Sequence, residues 1–143
     1  MAKRSKFTQH LLDVDTNVLE VLRLHLFAEQ ILNQLVSRRM TLTEEKMGSL
    51  QLSFARKLAF AKNEMLAPAS VLDAFDRLNQ LRNRCAHRFQ YSPTRDEILG
   101  LFDGMIEELV YDRVQIDTPS LFKRFAGALL NQLQKGKVKI DLA

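Results

Sequence analysis

The sequence predicts an all-α fold, an up-and-down bundle of four to five helices. Three observations support this class. Apolar residues recur at intervals of three and four along most of the chain, capping signals precede several of these segments, and the 143 residues include only 5 Gly and 3 Pro. We predict one domain over residues 1–143, with residues 1–6 and 136–143 as mobile tails.

Composition restricts the class of protein further. Hydrophobic residues make up 46% of the chain, and the net charge of +4 permits a nucleic-acid partner without requiring one. The single cysteine, Cys85, cannot form a disulfide within the chain and is typical of a reducing compartment. No apolar run has the length of a signal sequence or a membrane span. We therefore expect a soluble cytoplasmic protein.

The first long helix is predicted over residues 16–37 and should be central, because its apolar arc is wide. Two stripes form that arc: Leu24, Phe27, Ile31 and Leu35, and Leu19, Leu22 and Leu26. His25 and Glu29 share a face of this helix, four residues apart. Glu29 is a candidate to support the basic residues described below, and the alternative is that His25 and Glu29 form a surface or boundary pair.

The second helix is predicted over residues 41–62. Thr41 and Glu44 have the spacing of a capping box, and apolar residues follow at helical intervals: Met47, Leu50, Phe54, Leu58, Ala61 and Met65. The basic residues Arg56, Lys57 and Lys62 are expected on a solvated face.

Three further helices complete the predicted bundle. The third starts near Ser70, after Pro68, and the fourth starts either at a Ser92 cap or at a Thr94–Glu97 capping box. The fifth follows residue 117 and ends at Gly136. The alternating tail after Gly136 is interpreted as a frayed basic terminus, although a short strand or an arm on a partner has the same pattern.

The end of the third helix concentrates the residues that can perform chemistry. Arg82, Asn83, Arg84, His87 and Arg88 lie within seven residues. Histidine exchanges a proton near neutral pH, and arginine presents a fixed cationic fork that fits phosphate. This pair of residue types suits a phosphodiester, because one group moves the proton and the other stabilises charge on the phosphate oxygens.

Helical geometry separates the two groups. Five residues divide Arg82 from His87, so on a straight α-helix they point about 140° apart. Three solutions remain open: the Arg82 side chain wraps round, the helix tightens or ends near Ala86, or a second chain completes the site.

The order Arg82-Asn83-Arg84-Cys85-Ala86-His87 resembles the signature of the HEPN superfamily, in which Arg, a polar residue and three more residues precede His near a helix end. This resemblance implies an HEPN-like helical domain and a homodimer with the Arg82/His87 motif near its axis. One toxin branch of the family has Tyr two residues after the His, and the chain departs from it with Phe89.

The resemblance implies a metal-independent endoribonuclease of toxin or anti-phage defence type, with Arg82 and His87 catalytic and Asn83 assisting. Attack by the ribose 2′-hydroxyl would leave a 2′,3′-cyclic phosphate. Arg84, Arg88 and Arg95 would guide the RNA backbone. We expect no metal and no cofactor, and a toxin would require an antitoxin or another regulatory protein as partner.

Other interpretations fit the same residues. A helix end often carries cations that complement its dipole, and some HEPN-like members bind a protein or nucleotide without cleaving RNA. A regulatory or defence module without catalysis is therefore the alternative. A transcriptional repressor is a third class, but no helix-turn-helix signature is present. Cys85 shares a stripe with Leu78 and Leu81, so we interpret it as core rather than nucleophile.

Overall fold

The computed structural model describes residues 16–88, 91–103 and 118–141, and these residues form helices and connecting segments without a strand. The all-α class is therefore confirmed for the part of the chain that is described. Its elements are α1 (Thr16–Met40), α2 (Glu44–Ser49), α3 (Phe54–Asn63), α4 (Ala69–His87), α5 (Arg95–Leu99) with a following 3-10 turn (Gly100–Phe102), and α6 (Thr118–Lys135).

Helix α1 is the centre of the fold, as its apolar pattern predicts, and it contacts each of the other five helices. Its core face is fully buried and consists of Val21, Leu24, Ala28, Ile31, Leu32 and Leu35. The second predicted stripe differs, because Leu19, Leu22 and Leu26 are exposed. The helix also continues to Met40, three residues beyond the predicted end.

The predicted second helix is wrong in its continuity, because the chain breaks it into α2 and α3. Thr43, not Thr41, caps α2 by accepting from the Lys46 N–H, and Ser53 caps α3 by accepting from the Arg56 N–H. Between them Gln51 has a φ of 51°, which ends helical continuation. A second strong N-cap residue therefore overrides an apolar pattern that suits one long helix.

The third and fourth predicted helices begin close to the expected positions. Helix α4 starts at Ala69, directly after Pro68. Helix α5 uses the Thr94–Glu97 capping box, with both of its hydrogen bonds present, and not the Ser92 alternative. Ile98, Leu99, Leu101 and Phe102 bury this segment against the core, where the Phe102 and Phe125 rings lie 5.2 Å apart. The apolar spacing also predicts that this helix continues through Met105 and Leu109. The α-helix instead ends at Leu99, and after the 3-10 turn Asp103 has a ψ of 130°, outside helical geometry. Met105 and Leu109 lie outside the described residues.

Helix α6 ends at Lys135, and the chain turns sharply at Gly136 against Pro68. A Cβ on Gly136 would lie 2.8 Å from Pro68 Cγ, so the close approach requires glycine. Beyond the turn, Val138 and Ile140 pack against the core, and the Gln34 side chain exchanges hydrogen bonds of 2.5 and 2.8 Å with the Asp141 backbone. Residues 138–141 are thus held on α1 instead of extending as a frayed end.

None of the helices within residues 16–88, 91–103 and 118–141 is both long enough and apolar enough for a membrane crossing.

Candidate functional site

The Arg82–His87 motif forms the last two turns of α4. Leu78 and Leu81 are buried and Cys85 is half-buried, so this side of the helix packs on the core as expected. The helix remains α-helical through His87 and is capped by Arg88. The helix thus ends one residue after Ala86, close to the predicted end. His87 is still part of the helix, so Arg82 and His87 leave it in different directions.

The two ends of the motif differ in exposure. His87 is exposed, and within the described part of the chain its imidazole has no hydrogen-bond partner. Arg82 is half-buried, and its Nη1 lies 3.5 Å from the Asn83 Oδ1, at the limit of a hydrogen bond. Asn83 is exposed on the same side as His87. The motif therefore combines an accessible imidazole with a half-buried arginine whose guanidinium lies beside Asn83.

His25 on α1 is the buried neighbour of Arg82. Its Nε2 lies 3.1 Å from the Asn79 Oδ1, one turn before Arg82 on α4, and its ring centroid lies 4.2 Å from that of Phe54. Burial lowers the pKa of His25, the hydrogen bond with Asn79 raises it, and the charge of Arg82 lowers it again, with a net lowering. The lowered pKa favours the neutral imidazole at pH 7. His25 is buried instead of forming a surface pair with Glu29.

Arg84 is held within the fold by a cluster on the other side of α4. Its Nη1 forms a 3.0 Å ion pair with the Glu97 Oε2, and its guanidinium lies 6.0 Å from the centre of the Tyr91 ring. The Tyr91 hydroxyl also donates to Glu97. This cluster fixes the segment after α4 to the start of α5.

The same cluster shifts the pKa of two side chains. Burial raises the pKa of the Tyr91 hydroxyl, and the hydrogen bond to Glu97 raises it further. Burial also raises the pKa of the Glu97 carboxyl, but hydrogen bonds from Tyr91 and Thr94 and the charge of Arg84 outweigh burial and lower that pKa overall. Both shifts favour a protonated Tyr91 hydroxyl and an ionised Glu97 carboxylate at neutral pH, and the carboxylate is the partner of Arg84.

The remaining predicted residues have different surroundings. Arg88 is exposed, whereas Arg95 is half-buried, and its Nε and Nη2 atoms are buried without a hydrogen-bond partner in the described part of the protein. Glu29 lies one turn after His25 on α1, and its ion pair is with Lys57, at 3.3 Å, instead of with an arginine of α4.

Lys57 corrects the prediction of a solvated basic face on α3. Arg56 and Lys62 are exposed as expected, but the Lys57 side chain is only 6% exposed. Its ammonium donates to the Glu29 Oε1 and, at 2.8 Å, to the Asn33 Oδ1. Its helical position is the signal that separates Lys57 from Arg56 and Lys62, since it lies three residues after Phe54 and four before Ala61 on the buried face of α3. Its two partners lie on α1 and leave no mark in the local sequence.

A polar groove of about 790 Å³ lies beside this pair, along the C-terminal half of α1. We call it the Lys57 groove, and its walls include Glu29, Asn33, Gln34, Met47, Leu52 and Lys57. The motif lies near the N-terminal half of α1, since Asn17 donates to the Pro93 carbonyl and His25 contacts Asn79. The groove and the motif therefore lie along different halves of α1, with His25 between them, since the charges of Arg82, Glu29 and Lys57 all act on its pKa.

Among the residues that the structure describes, no three His, Cys, Asp or Glu side chains form a group that could hold a metal ion. No protein-family model matches the sequence, and searches of curated proteins and of solved structures find no match.

Proposed function

We propose that the protein is a metal-independent endoribonuclease of toxin or anti-phage defence type, with an HEPN-like domain that acts in the cytoplasm. One observation carries the proposal: the end of α4 presents the accessible His87 imidazole within two turns of Arg82 and Asn83. These side chains supply a proton-transfer group and a phosphate-binding cation.

The reaction is an internal transfer at phosphorus. His87 takes the proton of a ribose 2′-hydroxyl, the 2′-oxygen attacks the adjacent phosphorus, and the bond to the 5′-oxygen breaks. The products are a 2′,3′-cyclic phosphate and a 5′-hydroxyl, which receives a proton from an imidazolium. Arg82 stabilises the charge on the phosphate oxygens, and Asn83 orients the phosphate. DNA lacks the attacking hydroxyl and would not be cut.

A homodimer with the motif near its two-fold axis would complete the site. Arg82 and His87 point about 140° apart on one helix, and a second copy can bring one chain's His87 toward the other's Arg82. The exposed Leu22 and Leu26 side chains support this arrangement. They lie on the half of α1 that packs beside the motif, and an apolar surface of this kind is typical of a subunit contact.

Electrostatic guidance of RNA is assigned to Arg88, Arg84 and Arg95. Arg88 is best placed for a direct phosphate contact, since it is exposed at the end of α4. Arg84 is paired with Glu97 and Arg95 is half-buried, so these two would act mainly through their field. A nuclease of this type also requires a restraining antitoxin or regulatory protein.

A binding module without catalysis is the second candidate, in which the same surface binds a protein or nucleotide. The observation that favours it is the use of motif cations inside the fold. Arg82 is half-buried beside His25, and Arg84 is in an ion pair with Glu97. Both cations could therefore serve stability instead of chemistry.

RNA cleavage in EDTA tests the proposal. Purified protein is incubated with labelled RNA beside His87→Ala and beside Gln80→Ala, which changes an exposed residue on the same helix outside the motif. Wild type and Gln80→Ala are expected to cleave and leave 2′,3′-cyclic phosphate ends, whereas His87→Ala does not. Equal cleavage by His87→Ala would refute this mechanism.

Overexpression in cells separates the two candidates. A nuclease toxin should arrest growth, and Arg82→Ala should relieve the arrest, whereas a binding module should be tolerated in both forms.

A further inference from the structure

We propose that the Lys57 groove binds a guanine base, at a site separate from the Arg82–His87 motif and independent of any nuclease activity. The floor of the groove is the Lys57–Glu29–Asn33 cluster, in which a nearly buried ammonium lies between a carboxylate and an amide. A buried lysine is costly unless its hydrogen bonds are satisfied, and here two of its three donors are used.

The unused atoms of this floor define what it can recognise. Glu29 Oε2 and the Asn33 side-chain nitrogen have no hydrogen-bond partner among the described residues, and the Lys57 ammonium has one N–H left. The floor therefore presents carboxylate acceptors next to ammonium and amide donors. A complementary ligand must carry an acceptor and neighbouring N–H donors on one edge.

Guanine has this edge among the common nucleobases. Its O6 accepts, and its N1–H and N2–H₂ donate side by side, so O6 can face Lys57 or Asn33 while the two N–H groups face Glu29. Adenine reverses this order, since it donates from N6 and accepts at N1. Uracil and cytosine offer no pair of adjacent donors for the carboxylate. Base edges of this kind are read in nucleotides that are not base-paired.

The walls and the charge of the groove are consistent with a base. Its volume of about 790 Å³ lies in the range of about 300–1,000 Å³ that is typical of small-ligand sites. Met47 lines one wall, and thioethers make favourable contacts with aromatic rings. The carboxylates Glu29, Glu44 and Asp141 balance the cations Lys57 and Arg38 along the groove. An anion such as free phosphate is therefore not favoured.

Binding of GMP and AMP to the full chain, measured by isothermal titration calorimetry, tests the proposal. The two nucleotides carry the same phosphate, so a difference between them reports the base. We expect GMP to bind at least about tenfold more tightly than AMP, since a mismatched edge leaves charged groups unpaired. Equal affinities, or no binding of GMP, would overturn the proposal.

Two variants and one control locate the site. Glu29→Gln removes the anionic acceptor and Lys57→Met removes the donor, and each is expected to weaken GMP binding about tenfold or more. Glu45→Gln, an exposed carboxylate on α2 outside the groove, should leave the affinity unchanged. Circular dichroism checks that each variant is folded. Unchanged GMP affinity in a folded Glu29→Gln variant would exclude this groove.

A last comparison identifies the source of the base. A short RNA with a single central guanosine is titrated beside the same RNA with adenosine at that position. Tighter binding of the guanosine RNA than of GMP would indicate a base within RNA, and weaker binding would indicate a free nucleotide. Both results require guanine recognition, and neither depends on cleavage, so failure of the nuclease proposal leaves this test intact.

Discussion

Replacing Glu29 by glutamine should destabilise the protein more than replacing Lys57 by methionine, although the two side chains form one ion pair. The asymmetry follows from their exposure. The Lys57 side chain is 6% exposed and that of Glu29 is 39% exposed. Glu29→Gln leaves a buried ammonium without a counter-charge, whereas Lys57→Met leaves a carboxylate that water can reach.

The magnitudes follow from the cost of a stranded charge. Removing one partner of a fully buried pair costs about 3–5 kcal/mol. Glu29 is more than one-third exposed, and the glutamine oxygen still accepts from Lys57, so screening and the remaining hydrogen bond reduce the expected loss to about 1–2 kcal/mol. Methionine conserves most of the lysine volume, and the Glu29 and Asn33 oxygens that it leaves unpaired line a groove that water can enter. Lys57→Met should therefore stay within about 1 kcal/mol of wild type.

Urea unfolding at pH 7 and 25 °C measures these differences. The double variant should match Lys57→Met alone, because no buried charge remains for Glu29 to balance, so the two changes should be non-additive by about 1–2 kcal/mol. Glu45→Gln provides the control and should change the free energy of unfolding by about 0.5 kcal/mol or less. Additive effects, or a larger loss for Lys57→Met than for Glu29→Gln, would refute the reasoning.

Two further predictions concern the α2–α3 break and the buried histidine. Ser53→Ala removes the side-chain cap on the Arg56 N–H and should lower the free energy of unfolding by about 1 kcal/mol. Ser53→Asp keeps a capping oxygen and should retain stability. Thermal unfolding distinguishes the two variants, and a Ser53→Ala variant as stable as wild type would contradict the capping argument. His25 has a lowered pKa in the folded protein, so the unfolded chain binds its proton first. Its stabilising contribution is complete above the unfolded pKa of about 6.5 and is lost as pH falls toward the folded pKa. Wild type should therefore lose stability relative to His25→Gln below about pH 6.5, with a constant difference above about pH 7.5, and parallel curves at all pH values would disprove the assignment.

Local pattern predicted the parts of the fold that depend on neighbours in sequence. The α1 core stripe, the Pro68 start of α4 and the Thr94–Glu97 box all arise from residues within one or two turns of one another. The α2–α3 break was missed because Leu50 continues the apolar spacing. Ser53 is the signal that could have indicated it, since it has the preferred type for an N-cap directly before Phe54.

The surroundings of the site could not be predicted in the same way. The sequence located Arg82 and His87 on one helix, but the neighbours of Arg82 depend on how α1 crosses α4. Asn79 is 54 residues from its partner His25, and Lys57 is 28 residues from Glu29. Such contacts depend on which helix faces pack together. The packing of the whole apolar core determines those faces, and the polar residues themselves do not.

His25 and His87, the two histidines that the structure describes, differ in burial and therefore in the chemistry open to each. Burial and the charges of Arg82 and Lys57 lower the pKa of His25, whereas the Asn79 hydrogen bond and the Glu29 charge raise it. Protonation of His25 would place a third cation beside Arg82 and Lys57. Among the described residues that shift the pKa of His25, Glu29 is the one anionic group. A histidine that stays neutral and donates to Asn79 holds α1 against α4 one turn before Arg82, and it is poorly suited to give a proton to a leaving group. His87 is exposed at the end of the helix, so RNA can reach its imidazole for proton transfer. The proposed reaction therefore assigns proton transfer to His87 and the positioning of the Arg82 helix to His25.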